Sequence, residues 1–243
     1  MQELLVEPEI PTKPKPTSGE AKTGRVTYQI TMRGHDGIVM ASDQRELLAP
    51  ESPEEGEGTV TNMVPKITID PTRRFAWAFA GGEPSFIAAG YLEREFENGV
   101  ADADLERTLR DCGDRGWDAG ASGPHKSTVV FADGKNKKIL RATLGHKCTR
   151  VLPMLDGKCF AGQSYSKASF FPMRFYSPEM SVAQLARLAA FAVVMAGEMD
   201  PLCVAGLDVA IYRDSANQFE FVDSRDYRQQ AMKLEGDIRS LFA

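Results

Sequence analysis

The chain has 243 residues, 42% of them hydrophobic and 26% charged, with a formal net charge of −5. That length fits one large domain or two small ones, and the balance is ordinary for a soluble globular protein. Lysine and arginine form no basic block, which argues against nucleic acid or an anionic membrane as partner. No apolar run reaches the roughly 20 residues of a bilayer span and no secretory signal pattern opens the chain, so a cytoplasmic location is expected.

Residues 1–24, "MQELLVEPEIPTKPKPTSGEAKTG", interleave Pro11, Pro14 and Pro16 with Lys and Glu and have no apolar period, so the segment is expected to be disordered. Strands are predicted at about 26–34 and 37–44, joined by an "HDG" turn. The acidic, Pro/Gly-rich stretch "ELLAPESPEEGEG" then reads as a solvated loop to about residue 58. Strands follow at "KITID" (66–70) and "RFAWAFAG" (74–81). The next segment predicts a helix ending at Gly99, with Phe86, Ile87, Gly90, Tyr91, Leu92 and Phe96 near one face. A second helix is expected over 102–112, with Leu105 and Leu109 inward.

Strands recur at 127–133, 137–144 and 158–163. "SKASFFPMRFY" predicts a helix broken or kinked at Pro172. Residues 181–199 predict a long helix with Ser181 as N-cap, apolar nearly all round and so sandwiched between layers. Two more strands, "GLDVAIYRD" and "QFEFVDS", precede a C-terminal helix over about 225–241. Hairpins, then a helix pair, then strands, then helices exclude a repeating βαβ unit. The order predicts an α+β fold: a four-layer αββα sandwich of two antiparallel sheets flanked by helices.

Several motifs are absent or weak. Cys112, Cys148, Cys159 and Cys203 form no C-x-x-C pair, and the three histidines stand at no ligand spacing. No metal and no cofactor is therefore expected, and the thiols read as reduced and mostly buried. No phosphate-binding or dinucleotide-binding glycine motif occurs. "GQSYS" (162–166) lacks the final glycine and the strand–helix context of a nucleophile elbow. His35 and His146 read as solvent-facing turn residues.

The segments "TYQITMRGHDGIVMASDQR", "KITID", "FAGG" and "MAGEMDPLCVAGLDVAIYRD", in that order, resemble the proteasome β-type family of N-terminal nucleophile hydrolases. The likeness runs from Thr27 to about Asp223, and "TY" followed by "ASD" is similar to the bacterial Anbu branch. It implies a domain over 27–243 behind an extension, propeptide or wrongly assigned start over 1–26. It also implies that Thr27 is the nucleophile and Asp43, in "DQR" (43–45), a site carboxylate. A threonine hydroxyl needs a base, and a free α-amino group, with a pKa of about 7.7–8.0, can supply one from the same residue.

A nearby ammonium would favour the deprotonated hydroxyl. The resemblance puts a lysine at the start of the third strand. Counting back from Asp70 lands on Pro65, so Lys66 takes the role through a bulge or a shortened strand. Asp43 would then hold Lys66, with Arg45 ordering the adjoining loop; a structural Asp–Arg pair is the other reading. Gly81 matches the family's oxyanion-binding N–H, and Phe79 its pocket floor, where its bulk favours small or medium side chains; Phe79 as plain core is the alternative. The family's G-S-G becomes "GQS", leaving Ser164 as the supporting hydroxyl. Its D-x-x-S-G-G becomes "DPLCVAG", keeping Asp200 and placing Cys203 where a serine is usual.

Activity requires residues 1–26 to leave. Val26 is β-branched where family propeptides end in glycine, which handicaps self-cleavage. If GTG encodes Val26, it can instead be the initiator, trimmed before Thr27. The resemblance thus implies a threonine-type endopeptidase acting on peptide or protein substrates within a self-associated, ring-like assembly. The alternatives are a non-catalytic structural subunit and a small-molecule amidase on the same scaffold; any regulator is unknown.

Overall fold

The computed structural model describes residues 27–48, 60–120, 127–162, 168–201 and 204–241. The predicted disordered tail and most of the acidic loop lie outside them. One sheet has the order β10-β1-β2-β11-β12, built from β1 (Gln29–Gly34), β2 (Gly37–Ser42), β10 (Lys158–Ala161), β11 (Asp208–Arg213) and β12 (Gln218–Phe221). The second has the order β5-β6-β7-β8-β9, from β5 (Ile67–Ile69), β6 (Phe75–Ala80), β7 (Thr128–Asp133), β8 (Lys138–Thr143) and β9 (Arg150–Pro153). All pairings are antiparallel.

Alternation along the strands separates the layers. In β6, Ala76, Ala78 and Ala80 face the other sheet and pack with Ile38, Met40, Val130 and Phe219. Phe75 and Trp77 point outward, against α1 (Glu83–Glu97) and α2 (Leu105–Ala119). Tyr28, just before β1, and Ile30 and Met32 within it point away from the second sheet, toward α4 (Val182–Met199). Helix α5 (Ser224–Ser240) packs on α4. The result is the expected four-layer α+β sandwich. Ser181 caps α4 and exchanges hydrogen bonds with Gln184, which satisfies backbone donors at that end. By length and composition α4 could cross a bilayer, contrary to the expectation that no segment could, yet half of it is buried inside the fold.

Five expectations need correction. The stretch read as loop begins with a strand, β3 (Arg45–Leu48), paired to β4 (Val60–Met63) as a separate ribbon. Its backbone groups satisfy each other, so no alternating apolar face was needed to form it. The inward face of α1 is Ser85, Ala88, Ala89, Leu92 and Phe96, while Phe86 and Gly90 are exposed. Apolar residues lie on both sides of this helix, and those on the other side line a groove. Helix α2 runs on to Ala119 behind a 3-10 turn at Asp102–Asp104, its glycines letting it close on α1, where a Cβ at Gly116 would meet the Pro84 carbonyl oxygen at 2.6 Å. The edge strand β9 was not anticipated; it is short, exposed and ends in Pro153, as an edge tolerates. Pro172 neither breaks nor kinks α3 (Phe170–Phe175), because it sits in the first turn, where the missing N–H has no helical partner to lose.

Candidate active site

The site lies where β1, β2 and β5 begin or end. Thr27 and Tyr28 lead into β1, and Asp43 follows β2, its N–H donating to the Tyr28 carbonyl at 3.1 Å. This hairpin registry, Gln29 opposite Ser42, places Asp43 beside the start of the first strand. Asp43 Oδ1 accepts from the Tyr28 N–H at 2.8 Å, and Oδ2 from the Arg45 N–H at 3.1 Å. Lys66 stands one residue before β5, which has only three residues. The shortened strand frees Lys66 to turn toward the other sheet.

Lys66 Nζ donates to Thr27 Oγ1 at 3.0 Å, to Asp43 Oδ2 at 2.8 Å and to the Arg45 carbonyl at 2.5 Å. Thr27, Asp43 and Lys66 are 2%, 0% and 3% exposed. Burying an ion pair costs desolvation that the pair and its hydrogen bonds must offset. The balance at Asp43 shows this. Burial pushes its carboxyl up to about 6, against the opposing pull of the Lys66 ammonium and of the Tyr28 and Arg45 N–H groups. Arg45 donates through Nη1 to the Pro201 carbonyl, tying the segment after Asp43 to the end of α4.

The remaining expected residues fall in different places. Gly81 follows β6, is buried, and has φ +105°, a conformation suited to glycine. Phe79 is half-buried and packs edge-on against Phe86 at 5.5 Å between centroids. With Pro65, Thr68, Ile87 and Gly90 it lines a cavity of about 370 Å³. Pro65 is the chain neighbour of Lys66, but Thr27, Asp43 and Lys66 are not among the lining residues. Asp200 ends α4, its N–H donating to Ala196 O at 2.9 Å and its carbonyl accepting from Val204 N–H at 3.0 Å. Ser164 and Cys203 lie outside the described residues. His35 and His146 are exposed, as expected of turn residues.

Several supporting residues were not singled out from sequence. Gly162, with φ +105°, presses on Thr27 so closely that a Cβ there would lie 1.5 Å from the Thr27 carbonyl oxygen. Gln44 holds the segment between Asp43 and Arg45, accepting from Val64 N–H and donating to Ala205 O, both at 2.8 Å. Asp208 accepts from Gln44 Nε2 at 2.6 Å. Gly162 carried a weak signal as a glycine directly after a strand; Gln44 and Asp208 carried none. Among the described residues, no cluster of His, Cys, Asp or Glu could hold a metal ion.

No protein-family profile matches the sequence, and no curated protein matches it either. Solved structures do. Anbu (ancestral beta-subunit) from Yersinia bercovieri superposes with a TM-score of 0.67 at 16% identity, covering 88% of this chain and 96% of that one. Anbu from Hyphomicrobium sp. strain MC1 gives 0.67 at 14% identity over 88% and 96%, and its Gly-1 mutant 0.64 at 16% over 89% and 96%. The chain therefore has the fold of the Anbu proteins, over nearly their whole length.

Proposed function

We propose that this protein is a threonine-type hydrolase of peptide or related amide bonds, with Thr27 as nucleophile once it is the first residue. The observation that carries this reading is the buried Lys66 ammonium 3.0 Å from Thr27 Oγ1, held by Asp43. A pair of buried charges beside a hydroxyl is a costly arrangement to keep for folding alone. For catalysis it has a use. The ammonium stabilises negative charge as it develops on Oγ1, and a free α-amino group of the same residue accepts the proton. Attack on a carbonyl then gives an acyl ester on Thr27, with Gly81 offering its N–H to the oxyanion. The amino group returns its proton to the leaving amine, and water releases the acyl group. Removal of an oxyanion donor of this kind typically costs about 2.7–4 kcal/mol.

The Yersinia neighbour is named an ancestral beta-subunit. Together with the resemblance in sequence, this supports self-association of the present chain, in a proteasome-like assembly that admits peptide substrates. The test compares a chain beginning at Thr27 with its Thr27→Ala variant on fluorogenic peptides and small acyl amides. Turnover of peptides lost in the variant supports the reading. Turnover confined to small amides moves the substrate class. A well-folded chain with a free Thr27 that acts on neither is a structural subunit.

A further inference from the structure

Asp208 opens β11, directly opposite Ser42 in the register with β2. Its Oδ1 takes the hydrogen bond from Gln44 Nε2 at 2.6 Å. Gln44 is the middle of an arch whose two outer residues, Asp43 and Arg45, both receive the Lys66 ammonium. The other oxygen, Oδ2, is shielded from solvent, and the Lys66 N–H also bonds the carboxylate. Burial raises the Asp208 carboxyl above its ordinary range, opposed by Gln44 and by the N–H and ammonium of Lys66. A partly buried carboxylate costs desolvation that a β-branched residue at a strand start would not. The other charged groups of this region are Asp43 and Arg45 on the arch, Asp200 at the end of α4, and Asp223 with Arg225 past β12, which pair with each other at 2.5 Å.

We propose that Asp208 is a positioning residue for the Thr27–Lys66 pair. It clamps the arch through Gln44, so that the Asp43 carboxylate and the Arg45 carbonyl meet the ammonium together. It also places a second negative charge behind Lys66, which keeps the ammonium protonated while Thr27 Oγ1 loses its proton. The catalytic consequence rests on the hydrolase reading; the coupling of charge between Asp208 and Lys66 does not.

The test is Asp208→Asn in a chain beginning at Thr27. Asparagine keeps an oxygen for Gln44 and removes the charge. Lys66 is titrated by NMR of carbon-13-labelled lysine, and peptide turnover is followed against pH. The Lys66 midpoint is expected to fall by about one unit, the size of one nearby partly screened charge. The alkaline limb of kcat should move down with it, at near-constant KM. A folded variant whose Lys66 midpoint does not move overturns the proposal. Gln44→Leu separates the clamp from the charge: kcat should fall several-fold with the limbs unmoved, and an unchanged kcat removes the clamp from the account. If the unmodified chain turns over no substrate, the hydrolase reading fails while the Lys66 titration still decides the coupling. Should the Asn variant not fold, Asp208→Ser carries the same titration.

Discussion

Two buried regions of this molecule are built on opposite principles. Under α1 and α2, Phe75, Trp77, Phe96 and Phe131 lie with ring centroids 5.0–6.3 Å apart, with Leu92, Leu109 and Leu140 around them. At the opening ends of β1 and β5, the same degree of burial is given to an ammonium, a carboxylate and a hydroxyl. The first region gains free energy from every atom removed from water. The second loses some and recovers it only through specific partners. Equal burial thus has opposite meaning: one region makes the fold stable, and the other is the one that the hydrolase reading puts to use.

Breaking the ion pair should give the largest effect. Lys66→Ala leaves Asp43 buried without its cation, and such losses run to about 3–5 kcal/mol of stability. On the hydrolase reading, turnover by the folded fraction should also drop by about a thousandfold, comparable to losing one preorganised electrostatic group. Denaturant unfolding and peptide kinetics measure the two losses separately. Replacing both partners, as in Lys66→Met with Asp43→Asn, which keeps an acceptor for the Tyr28 and Arg45 N–H groups, should recover part of the stability and none of the activity. That contrast would separate the cost of the pair from its use.

Trp77→Ala tests the other region. Loss of a fully buried Trp should cost about 3–5 kcal/mol, seen as a lower denaturation midpoint, with KM and kcat of the folded protein near those of the parent. A smaller effect follows from acid. Asp43 holds Lys66 only when ionised, and its carboxyl titrates at about 6. Turnover falls first as the Thr27 amino group is protonated, and below about 6 the loss of Asp43 charge should steepen that fall by up to a further tenfold per unit. Asp43→Asn should abolish the limb with the activity. Smallest is Ser181→Ala, which removes the α4 cap and should cost about 1 kcal/mol without touching the kinetics.

What the sequence revealed follows the same division. The β1–β2 hairpin was legible because alternation and a tight turn are local, whereas Thr27 and Asp43 were singled out by the family resemblance. The resemblance put a lysine at the start of the third strand, though counting from Asp70 pointed to Pro65; the structure places Lys66 just ahead of a strand of three residues. The β3–β4 ribbon was hidden because its pairing is internal and its linker is acidic. On α1, Phe86 and Ile87 suggested the wrong face, since their apolar surface lines a groove beside Phe79 rather than the core. The bulk of Phe79, read from sequence as a restriction on side-chain size, adjoins a cavity of about 370 Å³. Asp208 was invisible because its importance lies in a contact with Gln44, far away along the chain.

The close approach of Gly162 to the Thr27 carbonyl has a consequence for how relatives can be recognised. No side chain fits there without displacing Thr27, so this position sorts sequences more sharply than overall likeness does. On the hydrolase reading, a chain with the same fold and a threonine at the same place, but an alanine or larger residue after the β10 strand, should hold that threonine differently and fail to react. A survey of sequences needs no assay to apply that filter.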